Sequence, residues 1–257
     1  MFLMKEHVGK LISDIRDLIC RDVRPVSVYR MKRTMEESPD AASMDTSDWE
    51  ILNTDHVWGG HREYFYFETK VTIPEEWSGR QVVYELRTGK EGEWDALNPQ
   101  FLVYINGEPR MGFDVNHRTI LLTENAAGGE VFTIFLASYS GVNNFSLHLD
   151  SEIKILEPEI EGYYYDLDVP YQVARLLPQE DENRILIIKS LDASLRLLDL
   201  RREYSPAFFE SLAAARAWLL TEFYDKYCGR GDAPVVYCVG HTHIDVAWLW
   251  TLRVTRD

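Results

Sequence analysis

The stretch Phe101-Leu-Val-Tyr-Ile-Asn-Gly107 joins an apolar run, rich in aromatic and β-branched side chains, to an Asn-Gly pair. Runs of this kind favour β-strands, because such side chains fit a pleated and half-buried surface. Asn-Gly is the dipeptide that tight two-residue hairpin turns prefer. The stretch therefore predicts a strand that ends in a turn.

Similar runs occur on both sides of this stretch, with turn signals such as Ser78-Gly79 and Gly128-Gly129 between them. Strands that follow one another without intervening helices indicate an antiparallel β-sandwich of jelly-roll type. The sequence thus predicts a fold that is mainly β with some α. The predicted strands cover residues 65–71, 81–87, 101–105, 119–122, 131–136, 145–149, 152–155 and 163–169.

Helical patterns flank the predicted sandwich. Apolar side chains recur at helical spacing over residues 1–22, which predicts an amphipathic helix that ends before Arg24-Pro25. Helical spacing returns over residues 179–229, where Asp181 and Ser205 have the chemistry of N-caps. We expect this second region to be an antiparallel helical pair, with Gly229 just after its end.

The chain divides into four predicted segments. An N-terminal helix and a polar connector occupy residues 1–60, and residues 36–60 are expected to be loop with at most one helical turn. The β-sandwich domain follows at 61–175 and a helical linker at 176–230. Residues 231–257 are expected to be the truncated start of a catalytic α/β barrel.

The last segment contains Gly240-His-Thr-His-Ile-Asp-Val-Ala-Trp-Leu-Trp250, directly after the apolar run 235–239. An apolar run of this length suits a barrel strand that is covered on both faces. In an extended backbone the side chains of His241, His243 and Asp245 point the same way. Imidazole and carboxylate groups bind zinc and similar ions, so the stretch predicts a divalent-metal pocket.

This stretch closely resembles the first barrel motif of glycoside hydrolase family 38, the α-mannosidases. The family pattern is Gly/Pro-His-x-His-x-Asp-x-x-Trp, and every fixed position is met, although Val254 stands where an acidic residue is common. Upstream, Asn106-Gly-Glu-Pro109 and residues 112–118 resemble the sandwich segment of the cytosolic and vacuolar members. The resemblance implies that the chain is the N-terminal portion of such an enzyme.

The resemblance also implies roles for individual residues. His243 and Asp245 would be metal ligands, usually for zinc. His241 would not bind the metal but would orient these ligands as their neighbour. Trp248 would form a wall of the mannose subsite. The implied enzyme hydrolyses terminal α-mannosyl residues of oligosaccharides with retention, using two carboxyl groups that are expected beyond Asp257. No catalytic residue is assigned within the chain, and the isolated fragment is expected to be inactive.

Two other interpretations stay open. Amidohydrolase-type metal hydrolases also place His-x-His at the end of a first barrel strand, but they do not require the Asp-x-x-Trp-Leu-Trp tail. The sandwich could instead serve as a carbohydrate-binding or assembly module without catalysis. Its candidate sugar contacts, which equally suit turns and sandwich edges, are Trp94, Asn98, Asn106, Asp114, Asn116, His117 and Arg118.

The composition restricts the classes of binding partner and the cellular compartment that the sequence predicts. The formal charge is −15, from 27 Lys+Arg against 42 Asp+Glu, which argues against nucleic acid and anionic membranes as partners. Three widely spaced cysteines and the lack of a signal peptide or membrane span predict a cytoplasmic protein. The sequence leaves homo-oligomer formation open.

Overall fold

The computed structural model describes residues 2–35, 40–53, 56–94, 98–229, 235–240 and Leu252. The chain forms two compact units. The sandwich unit comprises Asp22–Leu156, and the helical unit comprises Met1–Arg21 together with Glu157–Gly240.

Antiparallel sheets form the sandwich, as the strand patterns predicted. One sheet has six strands in the order β3-β2-β5-β10-β7-β8, another has four in the order β1-β12-β6-β9, and β11 pairs with β4. The strands are β1 Cys20–Val26, β2 Val28–Thr34, β3 Glu50–Asn53, β4 Trp58–Gly60, β5 Tyr64–Thr72, β6 Gln81–Arg87, β7 Gln100–Ile105, β8 Glu108–Phe113, β9 Thr119–Thr123, β10 Val131–Tyr139, β11 Phe145–Leu147 and β12 Asp150–Leu156.

Alternating side chains from the two larger sheets fill the sandwich core. In β7 the apolar residues Phe101, Val103 and Ile105 are buried, whereas the residues between them are half-buried. Trp58 from the small sheet enters the same core, where its ring centroid lies 5.6 Å from that of Phe101. Because the pleat sends successive side chains to opposite faces, this alternation directs one face of each strand into the core.

The hairpin between β7 and β8 confirms the predicted turn. Asn106 and Gly107 both have positive φ, 53° and 85°. A two-residue turn that matches the twist of its strands needs positive φ at both central positions, which Asn and Gly tolerate best. The prediction missed β8 itself, whose residues are largely exposed.

The predicted connector at 36–60 contains more strand structure than expected. β3 pairs antiparallel with β2, and β4 pairs with β11. Trp49 lies on the outer face of the six-stranded sheet, with its ring stacked 6.2 Å from that of Tyr66. The prediction of loop is wrong for β3 and β4, because their partners are supplied by strands distant in sequence.

Helices form the second unit and share one apolar core. Asp181 accepts hydrogen bonds from the backbone N–H groups of Asn183 and Arg184, and Ser205 accepts from Phe208, so both predicted N-caps are confirmed. The helices are α1 Phe2–Asp17, α2 Pro158–Leu176, α3 Glu182–Leu195 and α4 Pro206–Leu219, and α4 continues through a π-helical turn at Leu220–Tyr224 into α5 Asp225–Tyr227. No helix in the described ranges is long and apolar enough to cross a bilayer.

Two predicted strands do not form. Residues 163–169 lie inside α2, where Tyr163 and Leu167 are buried one helical turn apart. The aromatic run resembles a strand locally, but packing within the helical unit favours the helical period. Residues 235–240, the described part of the predicted barrel strand, have no regular secondary structure and are exposed. A parallel strand requires neighbouring strands for its hydrogen bonds.

Candidate functional site

The predicted metal ligands His243 and Asp245, with His241 and Trp248, lie outside the described residues. Within the described ranges, no group of three or more His, Cys, Asp and Glu side chains is arranged to hold a metal ion. The site geometry that can be described belongs to the sandwich unit.

Several loops of the sandwich meet at one end of the six-stranded sheet. Tyr139, the last residue of β10, pairs with Tyr64 at the start of β5 and with Gln100 at the start of β7. Phe101 pairs with Phe113 at the end of β8. We call the segments 59–63, 88–94, 98–99, 114–118 and 140–149 the loop end.

An open cavity of about 780 Å³ lies at the loop end. Side chains of both polar and apolar character line it, and most of them come from β2, β4, β11 and the loops beside them. The lining residues are Met31, Arg33, Val57, Trp58, Gly59, Gly60, His61, Glu63, Phe65, Asn144, Phe145 and Ser146.

Two consecutive glycines form part of the cavity wall. Gly59 and Gly60 have φ of 117° and 122°, values that residues with a side chain rarely adopt. A Cβ on Gly59 would lie 2.6 Å from the carbonyl oxygen of Phe145. Glycine is therefore required here for the close pairing of β4 with β11.

The polar wall of the cavity is held in place by paired groups. The Arg33 guanidinium donates two hydrogen bonds to the Glu63 carboxylate, at 2.7 and 2.6 Å. The backbone N–H of Glu63 donates to Ser140 Oγ at 2.9 Å. His61 Nδ1 lies 2.6 Å from the carbonyl oxygen of Val142, so Nδ1 carries the proton and Nε2 is left as an acceptor when the ring is neutral.

Aromatic side chains form the apolar wall. Trp58 is buried, and its indole N–H donates to the carbonyl oxygen of His148 at 3.1 Å. The ammonium group of Lys90 lies 4.8 Å from the ring centroid of Phe145. An apolar wall beside a fixed guanidinium, carboxylate and imidazole suits a small polar ligand with an apolar face.

Buried oxygens without hydrogen-bond partners also occur in residues at or beside the loop end. In the described part of the chain they are Asn98 Oδ1, Ser138 Oγ and the Tyr139 hydroxyl. Ser138 and Tyr139 end β10, and Asn98 lies two residues before β7, so all three are next to the loop end. Buried polar atoms of this kind commonly bind water or a ligand.

The structure brings most of the predicted sugar contacts to the loop end. Trp94 is 57% exposed there, and its carbonyl oxygen accepts a hydrogen bond from Asn98 Nδ2 at 2.6 Å. Residues 114–118, which include Asn116, follow β8 at the same end. Asn106 is at the opposite end, in the hairpin turn, where its side chain accepts from the backbone N–H of Thr133.

Asp114 organises its own loop. Its carboxylate accepts hydrogen bonds from the backbone N–H groups of Asn116 and His117, at 2.7 and 2.6 Å. Burial raises the pKa of Asp114, but these hydrogen bonds and the nearby His117 ring bring it below the ordinary value. Arg118 lies 3.4 Å from Glu85, on the four-stranded sheet. Asp114 and Asn106 are therefore turn residues.

The site residues predicted from the sequence did not include Arg33, His61, Glu63 or Phe145. Three of them lie in or beside segments whose strands were not predicted. The pair Gly59-Gly60 next to Trp58 was the available signal, since two glycines beside a large aromatic residue often mark a close backbone approach.

The comparisons with known proteins agree with the predicted fold. Residues 24–168, more than half of the chain, match the family model described as alpha-mannosidase, jelly roll domain. The chain belongs to this family.

The relatives that this chain matches are much longer proteins. Alpha-mannosidase of Saccharomyces cerevisiae is 24% identical over 230 residues, which are 79% of this chain and 20% of that protein. Alpha-mannosidase G of Dictyostelium discoideum is 22% identical over 243 residues, 85% of this chain and 20% of that protein. Alpha-mannosidase 2C1 of Homo sapiens is 22% identical over 210 residues, which are 74% of this chain and 18% of that protein. The chain thus spans about a fifth of these relatives.

Among solved structures, a β-glucuronidase from Ruminococcus gnavus matches 52% of this chain and 29% of its own, with 11% identity and a TM-score of 0.40. A β-glucuronidase from an uncultured Clostridium matches 53% of this chain and 29% of its own chain, with 12% identity and a TM-score of 0.40.

Proposed function

We propose that this chain is the N-terminal part of a metal-dependent, retaining α-mannosidase that hydrolyses terminal α-mannosyl residues of oligosaccharides. One observation carries the proposal: the α-mannosidase jelly roll match at 24–168 and the motif at 240–250 occur in the same chain. The relatives that it matches are α-mannosidases.

The donor set of the motif fits a divalent cation such as zinc. Two imidazoles and a carboxylate, each two residues apart, have the chemistry that zinc sites use. His243 and Asp245 would hold the ion, His241 would orient them, and Trp248 would contact the apolar side of the sugar. A bound ion would supply a Lewis acid for sugar hydroxyl groups.

Retaining glycosidases need two carboxyl groups, a nucleophile and an acid/base, on either side of the scissile bond. We assign neither role within these 257 residues, and the match covers only about a fifth of the relative's length. We therefore propose that the 257-residue chain alone does not hydrolyse mannosides, and that the complete enzyme does.

The test measures hydrolysis of an aryl α-mannoside and bound zinc in the complete protein. His243→Ala and Asp245→Ala are each expected to lower metal content at least tenfold and to abolish turnover. His241→Ala should lower metal content and turnover by less than these two substitutions do, because His241 acts by orienting the ligands. His56→Ala, at an exposed histidine of the sandwich outside the loop end, is the control and should change neither metal content nor turnover.

Two outcomes would contradict the proposal. Equal metal loss from His241→Ala and His243→Ala would favour an amidohydrolase-type site, in which both histidines are ligands. Unchanged turnover in the Asp245→Ala protein would overturn the assignment of the motif.

A second candidate function is carbohydrate binding at the loop end. Exposure of Trp94 at the loop end favours it, because an exposed aromatic ring can contact the apolar face of a sugar. Titration of the chain with mannose and mannobiose should then show saturable binding that Trp94→Ala removes and that His56→Ala, at an exposed histidine outside the loop end, retains. Absence of binding would leave packing as the role of the sandwich.

The proposed compartment is the cytoplasm. Cys20, Cys228 and Cys238 all lie in described parts of the chain, and none forms a disulfide. Cysteines that are not joined by disulfides suit a reducing environment.

A further inference from the structure

Helix α2 has one face that holds the helical unit together. Along this face, apolar side chains are buried at intervals of three and four residues and contribute to the core shared with α1, α3 and α4. The buried apolar residues of this face include Ile160, Tyr163, Leu167 and Ala174.

A second apolar stripe lies on nearly the opposite side of the same helix. Tyr165 is 55% exposed, Val169 58%, Val173 47% and Leu176 87%. The intervals of four, four and three residues place these side chains in one row along the helix. We call these four residues the exposed stripe.

The exposed stripe does not stabilise the helix itself. Valine is a poorer helix former than alanine, glutamate or lysine, so Val169 and Val173 are unfavourable choices for a solvated helical surface. Large apolar side chains that adjoin one another at a surface usually mark an interaction site.

A polar rim borders the exposed stripe. Gln172 Nε2 donates to Asp168 Oδ1 at 3.0 Å, and Arg175 donates to Gln172 Oε1 at 3.0 Å. These three side chains satisfy one another beside the stripe. An apolar centre with a satisfied polar rim is the usual anatomy of a protein–protein interface.

The helical unit exposes a second apolar element. Val235, Val236, Tyr237 and Val239 are all strongly exposed, and the segment 235–240 has no regular secondary structure. Its sequence is nonetheless that of a buried strand. Both exposed apolar elements therefore belong to the unit from which the chain leads into the His-x-His-x-Asp motif.

We propose that the exposed stripe of α2 is the docking face for the catalytic part of the complete polypeptide, the part that residues 235–240 lead into. This inference rests on the proposed function. The relatives extend for about four-fifths of their length outside the matched region, which supplies an occupant of sufficient size. Docking would cover the stripe and place 235–240 among neighbouring strands.

Covalent linkage makes this occupant a better fit than a second copy. A stable dimer needs about 800 Å² from each partner, more than four half-exposed side chains provide. An occupant on the same chain has an effective concentration in about the millimolar range, so a small apolar contact is enough.

Side-chain footprinting by hydroxyl radicals tests the proposal, because it measures solvent access to individual residues. Tyr165 and Leu176 are expected to be labelled in the 257-residue chain and at least fivefold less in the complete protein. Ile51, an exposed apolar residue of the sandwich unit, is the control and should be labelled equally in both.

Substitutions in the complete protein give an independent readout. The double variant Val169→Asp, Val173→Asp should restore labelling of Tyr165 and lower the Tm of the complete protein, with a smaller effect on the 257-residue chain. The double variant Val169→Thr, Val173→Thr keeps the shape of the two side chains and introduces no charge. It should therefore change Tyr165 labelling and Tm less than the aspartate variant does. Equal labelling of Tyr165 in both proteins would overturn the docking face, as would protection in the short chain that disappears on dilution.

Mannoside turnover is measured on the same samples and separates the two hypotheses. Protection of Tyr165 in a complete protein without turnover would support docking and reject the proposed function. Full turnover with an unprotected Tyr165 would reject docking and retain the proposed function.

Discussion

The hydroxyl oxygens of Tyr29 and Tyr84 lie 2.7 Å apart in the interior of the sandwich. Tyr29 comes from β2 of the six-stranded sheet and Tyr84 from β6 of the four-stranded sheet, so their hydrogen bond joins the two sheets. Ser151 of β12 also bonds to the Tyr29 hydroxyl. A polar contact inside an apolar core favours the one alignment of the sheets that satisfies it.

Tyr29→Phe should destabilise the sandwich more than Tyr84→Phe. The Tyr29 hydroxyl bonds to both Tyr84 and Ser151, and its removal takes a partner from each of these buried groups. We expect a loss of about 2 kcal/mol for Tyr29→Phe and about 1 kcal/mol for Tyr84→Phe. Urea unfolding measures both values, and a reversed order would contradict the assignment of Tyr29 as the central hydroxyl.

Alkaline pH should unfold the protein between about pH 10 and 12. Burial raises the pKa of Tyr29, Tyr163, Tyr204 and Tyr224 from the ordinary 10.0 to about 12. Between these values the unfolded chain has released protons that the folded chain retains, so stability falls as the pH rises. Chemical unfolding followed by circular dichroism at several pH values from 9 to 12 should give a free energy of unfolding that falls as the pH rises, and Tyr29→Phe should make the dependence less steep. A free energy of unfolding that stays constant over this range would refute the prediction.

Lys154→Met should destabilise the four-stranded sheet by about 1–2 kcal/mol, because it removes one of the cations that neutralise two largely buried carboxylates, while Arg87 remains beside both. The Lys154 side chain is only 10% exposed, and its ammonium lies 2.7 Å from Glu85 and also contacts Glu152. Lys10→Met removes an exposed ion pair with Asp14 and should change stability little.

The ion pair of Lys154 should also weaken in acid. Burial raises the pKa of Glu85, but hydrogen bonds from Lys154 and Arg87 bring it below the ordinary value of 4.5. The contribution of Glu85 is therefore present above pH 4.5 and is lost as the pH falls through the lowered pKa. Chemical unfolding of the parent protein and of Lys154→Met at pH 7 and pH 3 should show a smaller difference in acid. An unchanged difference would contradict the pairing.

Gly107→Ala should cost more stability than Gly92→Ala, although both glycines have nearly the same positive φ, 85° and 86°. A Cβ on Gly107 would lie 2.8 Å from Cβ of Ala42, whereas nothing lies within 4 Å of a Cβ on Gly92. Backbone strain alone costs about 1 kcal/mol, and the clash should add roughly 1–2 kcal/mol. Thermal unfolding of the two variants measures the difference, and equal losses would show that the segment around Ala42 moves aside without cost.

Local pattern was a good guide where a strand consists of a run of apolar and β-branched side chains, whichever strands it pairs with. The strands β6, β7 and β9 and the turn at Asn106-Gly107 lie within about one residue of their predicted bounds. Caps at Asp181 and Ser205 were predictable because a cap bonds to the backbone two or three residues further on. The division of the chain at residues 60 and 175 and the role of His243 and Asp245 stay predictions.

The remaining elements depend on the strands that pair with them and on the side chains that pack against them. β3 is a strand because β2 pairs with it, and residues 163–169 are helical because Tyr163 and Leu167 fit the core of the helical unit. The cavity beside Gly59 likewise needs β11.

By itself, the sequence determined the antiparallel sandwich, its tight hairpin, the helix caps and the α-mannosidase resemblance, because alternation, turn chemistry and motif spacing are all local. Only the tertiary structure decided which oxygens are buried without partners and which face of α2 is left exposed. Those properties depend on what packs against each side chain, and residues far apart in the chain supply that packing.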